Sequence, residues 1–494
     1  MINHSIFLPI LVPLGAGILA LFFQRSIAVQ KWISGIAVWG IAIFSALLLY
    51  EIRHAGIQVS QAGNWPAPFG ITLAVDLLGG IMLTITTVTA AASLMYAFRT
   101  IGEERERYFF YPMYLFILAG INGSFLTGDL FNLFVMFEIL LMASYVLVVL
   151  GGHPYQLQEG FKYIVINILG STLFVIAVAL LYGLTSTLNM ADLAVKVPQL
   201  EEKGLVQIIA LLFLFVFGLK AAIFPLFFWL PRSYHAAPTA VTALFGGVLT
   251  KVGIYAIFRV FTLIFRFEDS FIPSLLLWLA AITMVIGVLG AISQMDFKRL
   301  LAYHIISQIG YMLMGLAFFT PIGIAAGIFH IIHNMIVKTA LFLVGGATEE
   351  TTGTTRLKEM SGLLGLSPGL AYLFFLAGIS LAGIPPFSGF FSKYMLILAG
   401  LDRGEAVVVG VSLVVSIMTL FSMMKIFRYV YWGDPGKTRI LRRPGILVLP
   451  ACMLVLFSVL MGVCAQVVYD YTFAAAASML DPNEYIEAVL NAKP

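Results

Sequence analysis

Residues 214–231 read LFVFGLKAAIFPLFFWLP. Lys220 sits inside a nearly unbroken apolar run, and Pro225 follows five residues later. An ammonium group and a helix breaker stand together where neither has an obvious partner. What surrounds this run decides the fold. Of the 494 residues, 61% are hydrophobic and 11% charged. Apolar stretches long enough to cross about 30 Å of hydrocarbon as a helix recur along the whole chain. Fourteen are read: 5–23, 31–51, 72–98, 108–126, 129–150, 161–184, 206–230, 238–264, 270–293, 300–319, 321–347, 369–400, 405–427 and 445–468. They are numbered as spans one to fourteen below. They lack the ten-residue alternation of membrane β-strands. In lipid the backbone must satisfy its own hydrogen bonds, so helices remain. The expected fold is an all-α polytopic membrane protein.

The polar intervals near 52–70, 185–205, 348–367 and 428–444 are too short for a separate soluble domain. The first run lacks a basic leader and a small-residue cleavage site, and reads as a retained helix. Cys452 and Cys464 both fall in span fourteen and read as small apolar packing residues rather than a disulfide or metal pair. The net charge of +4 belongs to membrane-flanking loops and does not point to nucleic acid.

Those loops set an orientation. Odd-numbered connections and their flanks hold 17 Lys and Arg residues, the last of them contributing Lys437, Arg439, Arg442 and Arg443. Even-numbered ones and the tail hold seven, including Arg259 and Lys493. The odd connections are therefore expected in the cytoplasm and both termini outside.

Four of the 28 basic residues belong to neither set: Lys220, Lys251, Lys338 and Lys393 lie deep within spans. One acid, Glu138, joins them in span five. A charge at mid-bilayer costs roughly 2.5–3.5 kcal/mol even on lenient scales. A single such lysine could be helix–helix glue, but four bases and one acid cannot pair off neutrally. Some of the amines must be hydrated or neutral, and an amine that can be either carries protons.

The breakers agree. Pro225 crowds the carbonyl of Ala221 beside Lys220. In LAGIPPFSGFFSKYMLI, Pro385 and Pro386 free the carbonyls of Leu381 and Ala382, seven residues ahead of Lys393. Two interrupted spans with a lysine each are what internal repeats of transporters produce. Spans seven and twelve are five apart, an odd number, so a five-helix repeat (spans 4–8 and 9–13) inverts on duplication. The expected divisions are 1–107, 108–264, 265–432 and 433–494. In span eleven His330, Asn334 and Lys338 follow at i, i+4 and i+8, one polar stripe with His333 at its margin. Such a stripe in hydrocarbon reads as a wet path, with the imidazole able to exchange protons near neutral pH. His304, Ser307 and Gln308 add polar positions in span ten. Asp76 and Asp129, near span ends, read as a solvated boundary and a helix start. No phosphate loop, nucleophile elbow or metal-ligand cluster is present.

DFKRLLAYHIISQIGYMLMGL, LPRSYHAAPTAVTALFGGVLTKVGIY, FHIIHNMIVKTALFLVGG and GIPPFSGFFSKYML resemble the antiporter-like subunits of Mrp-type multisubunit Na+/H+ antiporters and of respiratory complex I. LPRSY and ATEETTGTTRL are most similar to the D-type chains of the Mrp antiporters. The resemblance covers nearly the whole chain. It implies fourteen transmembrane helices, two inverted five-helix repeats, and broken helices seven and twelve. It implies proton transfer by Glu138, paired with Lys220, then by Lys251, His330, Lys338 and Lys393. It further implies a bacterial cell membrane, A-, B-, C-, E-, F- and G-type partner subunits, sodium handled indirectly and no cofactor. The alternative it carries is a proton-pumping subunit of a respiratory oxidoreductase. The chain departs from the pattern at Asn334, where some relatives have a second histidine, and at LPRSY, which displaces His235 by one from the family's LPDAH.

Overall fold

The computed structural model describes residues 4–266, 271–438 and 440–492. Arg439 and Lys493, counted above for orientation, lie outside them, as does the side chain of Lys437. The chain is helical nearly throughout. Twelve helices are long and apolar enough to cross a membrane among the described residues. The other two runs take different forms. Span four is the 17-residue helix Phe110–Leu126. Span twelve is split into Pro368–Ala382 and Ser388–Asp402.

Burial is graded from rim to centre. The most apolar windows of Thr239–Leu263 (span eight) and Pro321–Thr352 (span eleven) are wholly buried, whereas those of spans one, two and six leave most residues outside the buried core. Span eleven packs against spans three, ten, twelve and fourteen. Spans eight and eleven, which carry Lys251, Arg259, His330, His333, Asn334 and Lys338, are thus kept from the surface, as the cost of a polar group in hydrocarbon demands.

Span seven runs as Lys203–Ala221 and stops one residue beyond Lys220. Ala222 turns left-handed with φ 60°, and the chain re-enters a helix at Leu230–Ala236. The indole N–H of Trp229 donates to the Leu219 carbonyl at 3.2 Å, which also accepts the Ala222 amide, and the Phe224 amide donates to Thr283 of span nine. Span twelve breaks at Gly383, with φ 90°. Both interruptions fall where the prolines place them.

Three features depart from the sequence reading. Residues 72–75 are a strand, Thr72–Val75, paired antiparallel with Gln58–Gln61; span three begins only at Leu77, where Asp76 caps the helix by accepting from the Gly79 amide. The short strand, Thr72 followed by three apolar residues, merges into the helix's run when only hydropathy is read. Span fourteen continues beyond its apolar window: Gly445–Val463 is followed by Ala465–Leu480, which packs on span eleven, and by Asn483–Leu490. Cys452 and Cys464 are free and exposed, on the outward face of span fourteen rather than packed within it.

The connections sort onto two faces. Thr127 bridges to the Leu73 strand and Asp129 to Asn189, so connections two, four and six meet. Arg403 of connection twelve donates to the Phe318 carbonyl at connection ten. On the opposite face Asp296 bridges to Arg356, joining connections nine and eleven.

Candidate functional site: a buried row of amines, imidazoles and amides

The row starts at Glu138. Its Oε1 is buried and has no hydrogen-bond partner. The pairing with Lys220 implied by the resemblance is not formed here. The Lys220 ammonium instead donates to the Asn167 carbonyl at 3.4 Å and to Ser171 Oγ at 3.2 Å, both on span six. The two groups stand apart because the ammonium, at the end of a broken helix, is turned to the polar edge of span six. Beside it lies a cavity of about 10 Å³ bordered by Phe137, Leu141, Tyr163, Asn167, Trp229 and Gly253. That is roughly the room one water needs. Gly253 of span eight presses on the backbone of Phe217 and Ala221, so spans seven and eight close directly beside the break.

Lys251 is the next group. It follows a π-helical turn, Phe245–Leu249, and its ammonium donates to the Gly246 carbonyl inside that turn at 2.6 Å. A π-turn widens the helix and leaves carbonyls free, and such turns gather at functional sites. Lys338 on span eleven has a single long contact, 3.5 Å to the Leu301 carbonyl of span ten. Lys393 reaches back to the carbonyls of Leu381 and Ala382 at 3.1 and 3.0 Å. These are the acceptors that the two prolines are expected to free. They are also the negative end of a half-helix dipole, which suits a cation. The ring of Tyr311 lies 4.9 Å from the same nitrogen. Among the described residues, none of the four deep lysines forms an ion pair with a carboxylate.

Hydroxyls join the row where no sequence signal announces them. His330 shares a hydrogen bond with Ser392 at 2.9 Å and His333 with Ser388 at 2.8 Å, both serines on the second half of span twelve. Ser388 continues to Ser458 and Ser458 to Ser380, each at 3.0 Å, so span fourteen is tied to both halves of the break. The His330 and His333 rings are 5.8 Å apart. His304 bonds Ser422 at 2.8 Å. Between these contacts run buried atoms without partners: Nε2 of His330 and His333, Oδ1 of Asn334, both amide atoms of Gln308, and Oγ of Ser307. Buried polar groups are ordinarily satisfied, so a file of unsatisfied ones marks a place for water.

Two expected boundary groups prove to be something else. Asp76 and Arg259 are both buried and form a bidentate pair at 2.6 and 2.8 Å. The Tyr255 and Tyr485 rings flank the guanidinium at 5.5 and 5.3 Å. Arg259 is thus not a loop flank, and Asp76 is not solvated. Asp129 is a helix start as expected, accepting from the Asn132 amide at 2.8 Å. On the odd-connection face a cavity of about 330 Å³ is bordered by Arg105, His153, His235, Lys298, Glu349 and Glu350. His235 lies there, 3.3 Å from Asp296 and apart from the mid-membrane row. Burial pushes the Asp296 carboxyl up, but the interaction with His235 and the hydrogen bonds from Thr355 and the Arg299 amide together hold the group below the usual carboxylate range.

Fold and row together define a class: a polytopic α-helical carrier with ionisable groups strung across its buried centre. Residues 127–419 match the family described as "NADH:quinone oxidoreductase/Mrp antiporter, TM", and the chain belongs to that family. It is 52% identical over 490 residues to the D-type subunit of the Na(+)/H(+) antiporter of Alkalihalophilus pseudofirmus, covering 99% of each chain. It is 44% identical to the protein of the same name from Bacillus subtilis, again over 99% of each. Among solved structures, a chain of the Mrp complex from Dietzia sp. superposes with TM-score 0.92 at 35% identity, covering 98% of this chain and 99% of that one. A chain of the archaeal membrane-bound sulfane sulfur reductase superposes with TM-score 0.91 at 27% identity, covering 99% and 100%.

Proposed function

We propose that this chain is the D-type, proton-translocating subunit of a multisubunit Na+/H+ antiporter in a bacterial cell membrane, a transporter subunit rather than an enzyme. Protons move laterally along Glu138, Lys220, Lys251, Lys338 with His330, and Lys393. The observation that carries this reading is the row itself. Four buried amines rest on carbonyls and hydroxyls with no counter-anion among the described residues, and unpartnered polar atoms lie between them. The relatives' names supply the sodium side of the exchange.

In the mechanism, Glu138 close to Lys220 holds the amine's proton. Separation, the arrangement in this structure, withdraws the counter-charge in a low-dielectric site and releases the proton toward Lys251. A membrane potential contributes about 2.3 kcal/mol per charge per 100 mV, so a small movement of one pair gates transfer. Sodium crosses elsewhere in the complex, since Glu138 is the one carboxylate that the row contains. The divisions 108–264 and 265–432 are the two inverted repeats, each contributing one broken helix. The A-, B-, C-, E-, F- and G-type subunits are its partners. Lys220→Ala is expected to abolish Na+-driven pH change in everted vesicles while the complex still assembles; wild-type exchange in that variant ends the assignment.

The second reading, a component of a respiratory oxidoreductase, is favoured by the likeness to the sulfur reductase chain. Gentle solubilisation separates the two: small membrane subunits co-purify in the first case, iron–sulfur subunits in the second.

A further inference from the structure

Lys338 and His330 lie on one helix, eight residues apart, so their Cα atoms are separated by about 12 Å along its axis. A proton passes between groups in hydrogen-bond contact, about 2.8 Å. No hydrogen bond joins the two side chains, the Lys338 amine resting on the Leu301 carbonyl and the His330 imidazole on Ser392, so the proposed route has a gap in its middle. Two amides stand in it. Asn334 lies midway along the stripe; its Nδ2 is committed to the His330 carbonyl at 2.9 Å, which leaves Oδ1 free and fixed. The second is Gln308, on span ten.

The level of Gln308 follows from the packing of spans ten and eleven. The Leu301 carbonyl meets Lys338, and Gly315 meets Gly327. Gln308 is midway between the first members of these pairs, so it faces the midpoint of the second members, between Ile332 and His333 and within half a turn of Asn334. Its side follows from periodicity. Ile305 lies against Gly246 of span eight, and Leu301, Ile305, Gln308 and Met312 share one face at i, i+4, i+7 and i+11. Gln308 is 1% exposed, and neither its nitrogen nor its oxygen has a partner.

We infer that Gln308 and Asn334 hold a short file of water that carries protons between Lys338 and His330. This rests on the proton-transfer reading above and adds the element that makes it continuous. A buried water needs two to four polar partners. The free Asn334 oxygen, the donor and acceptor of Gln308, and the free Nε2 of His330 supply them. The amides are suited to a place on the stripe between the Lys338 amine and the His330 imidazole. They orient water with either end, add no charge, and do not keep the proton as a carboxylate would. In the transfer an N–H bond of the Lys338 ammonium breaks as an O–H bond forms on the first water. Each water passes on a proton, and the last N–H bond forms at His330 Nε2. No electrons change hands.

The test uses the assembled complex. Gln308→Met keeps length and volume but removes both polar atoms. We expect about tenfold slower Na+-driven pH change per assembled complex, the effect of one unsatisfied water contact, and partial recovery in Gln308→Asn. Wild-type exchange in Gln308→Met overturns the inference, whereas wild-type exchange in Lys338→Ala overturns the proton-transfer reading itself. A purely packing role predicts that Met substitutes fully and Asn does not. Should Gln308→Met fail to assemble, a high-resolution map of the wild-type complex decides. Ordered water between Gln308 and Asn334 supports the file, and dry contact between them overturns it.

Discussion

A charged side chain buried with its partner and one buried without it make opposite demands, and this chain contains both. Asp76 and Arg259 satisfy each other bidentately, and the tyrosine faces enclose the guanidinium. Such a pair is weak as a source of stability but costly to halve, about 3–5 kcal/mol when one member is removed. Arg259→Met is therefore expected to lower the thermal unfolding midpoint of the solubilised complex sharply. Asp76→Asn combined with Arg259→Met should recover part of that loss, because the uncompensated carboxylate is gone while the cap to Gly79 can persist. Equal midpoints for the single and double variants would show that the pair is not coupled. The lysines have no such partner, and that difference is legible in sequence only on their side. A lysine in hydrocarbon is conspicuous in any apolar run. Asp76 and Arg259 are 183 positions apart at the ends of runs, where charge is unremarkable, so nothing local reveals that they meet. Ser388, Ser392 and Ser458 escape notice for a related reason: serine is common in membrane helices, and its value here lies in what it faces.

At the scale of elements, the two broken helices are legible because proline and glycine act through the local backbone. Their use is not symmetric. In span twelve the amine caps the carbonyls freed by the break, while in span seven the indole of Trp229 bonds the last turn at Leu219 and Lys220 turns to span six. The π-turn of span eight is not legible, since its residues, FGGVL, suit an ordinary helix equally well. Gly383 shows what the break requires. Its φ of 90° disfavours any other residue, and a Cβ there would lie 2.9 Å from Cδ of Lys393. Gly404 shares the strain, with φ 78°, but has open space around its Cα. Gly383→Ala and Gly404→Ala should each cost about 1 kcal/mol in backbone strain. Only the first should displace Lys393, so several-fold slower exchange per assembled complex is expected for Gly383→Ala and near-normal exchange for Gly404→Ala. Similar slowing in both would mean that backbone strain, not contact with the amine, is what exchange senses.

For the whole molecule, the alternation of connections is a consequence of helices crossing in turn, and the contacts bear it out on both sides. Connections three, five, seven, nine and eleven surround one polar cavity, where Lys298 pairs with Glu349 at 2.7 Å. The hairpin of connection two, the turns at Gly128 and Asn189, and the C-terminal helix carrying Tyr485 gather on the other face, where Arg266 donates to the Leu480 carbonyl. What packing does not contain is which face meets the cytoplasm, because nothing in a helix bundle distinguishes the two aqueous phases. That information lies in the basic residues, whose excess on odd connections reflects insertion rather than stability. The orientation can be read by chemistry. In a chain with Cys452 and Cys464 replaced by serine, a cysteine at Asn64, an exposed turn of connection two, should react with a membrane-impermeant thiol reagent in intact cells. A cysteine at Glu103, exposed on connection three, should react only in everted vesicles. The reverse pattern would place both termini in the cytoplasm and would set the cavity around Lys298 and Glu349 on the outer side, so that protons approaching from the cytoplasm would meet the Asp76–Arg259 pair first.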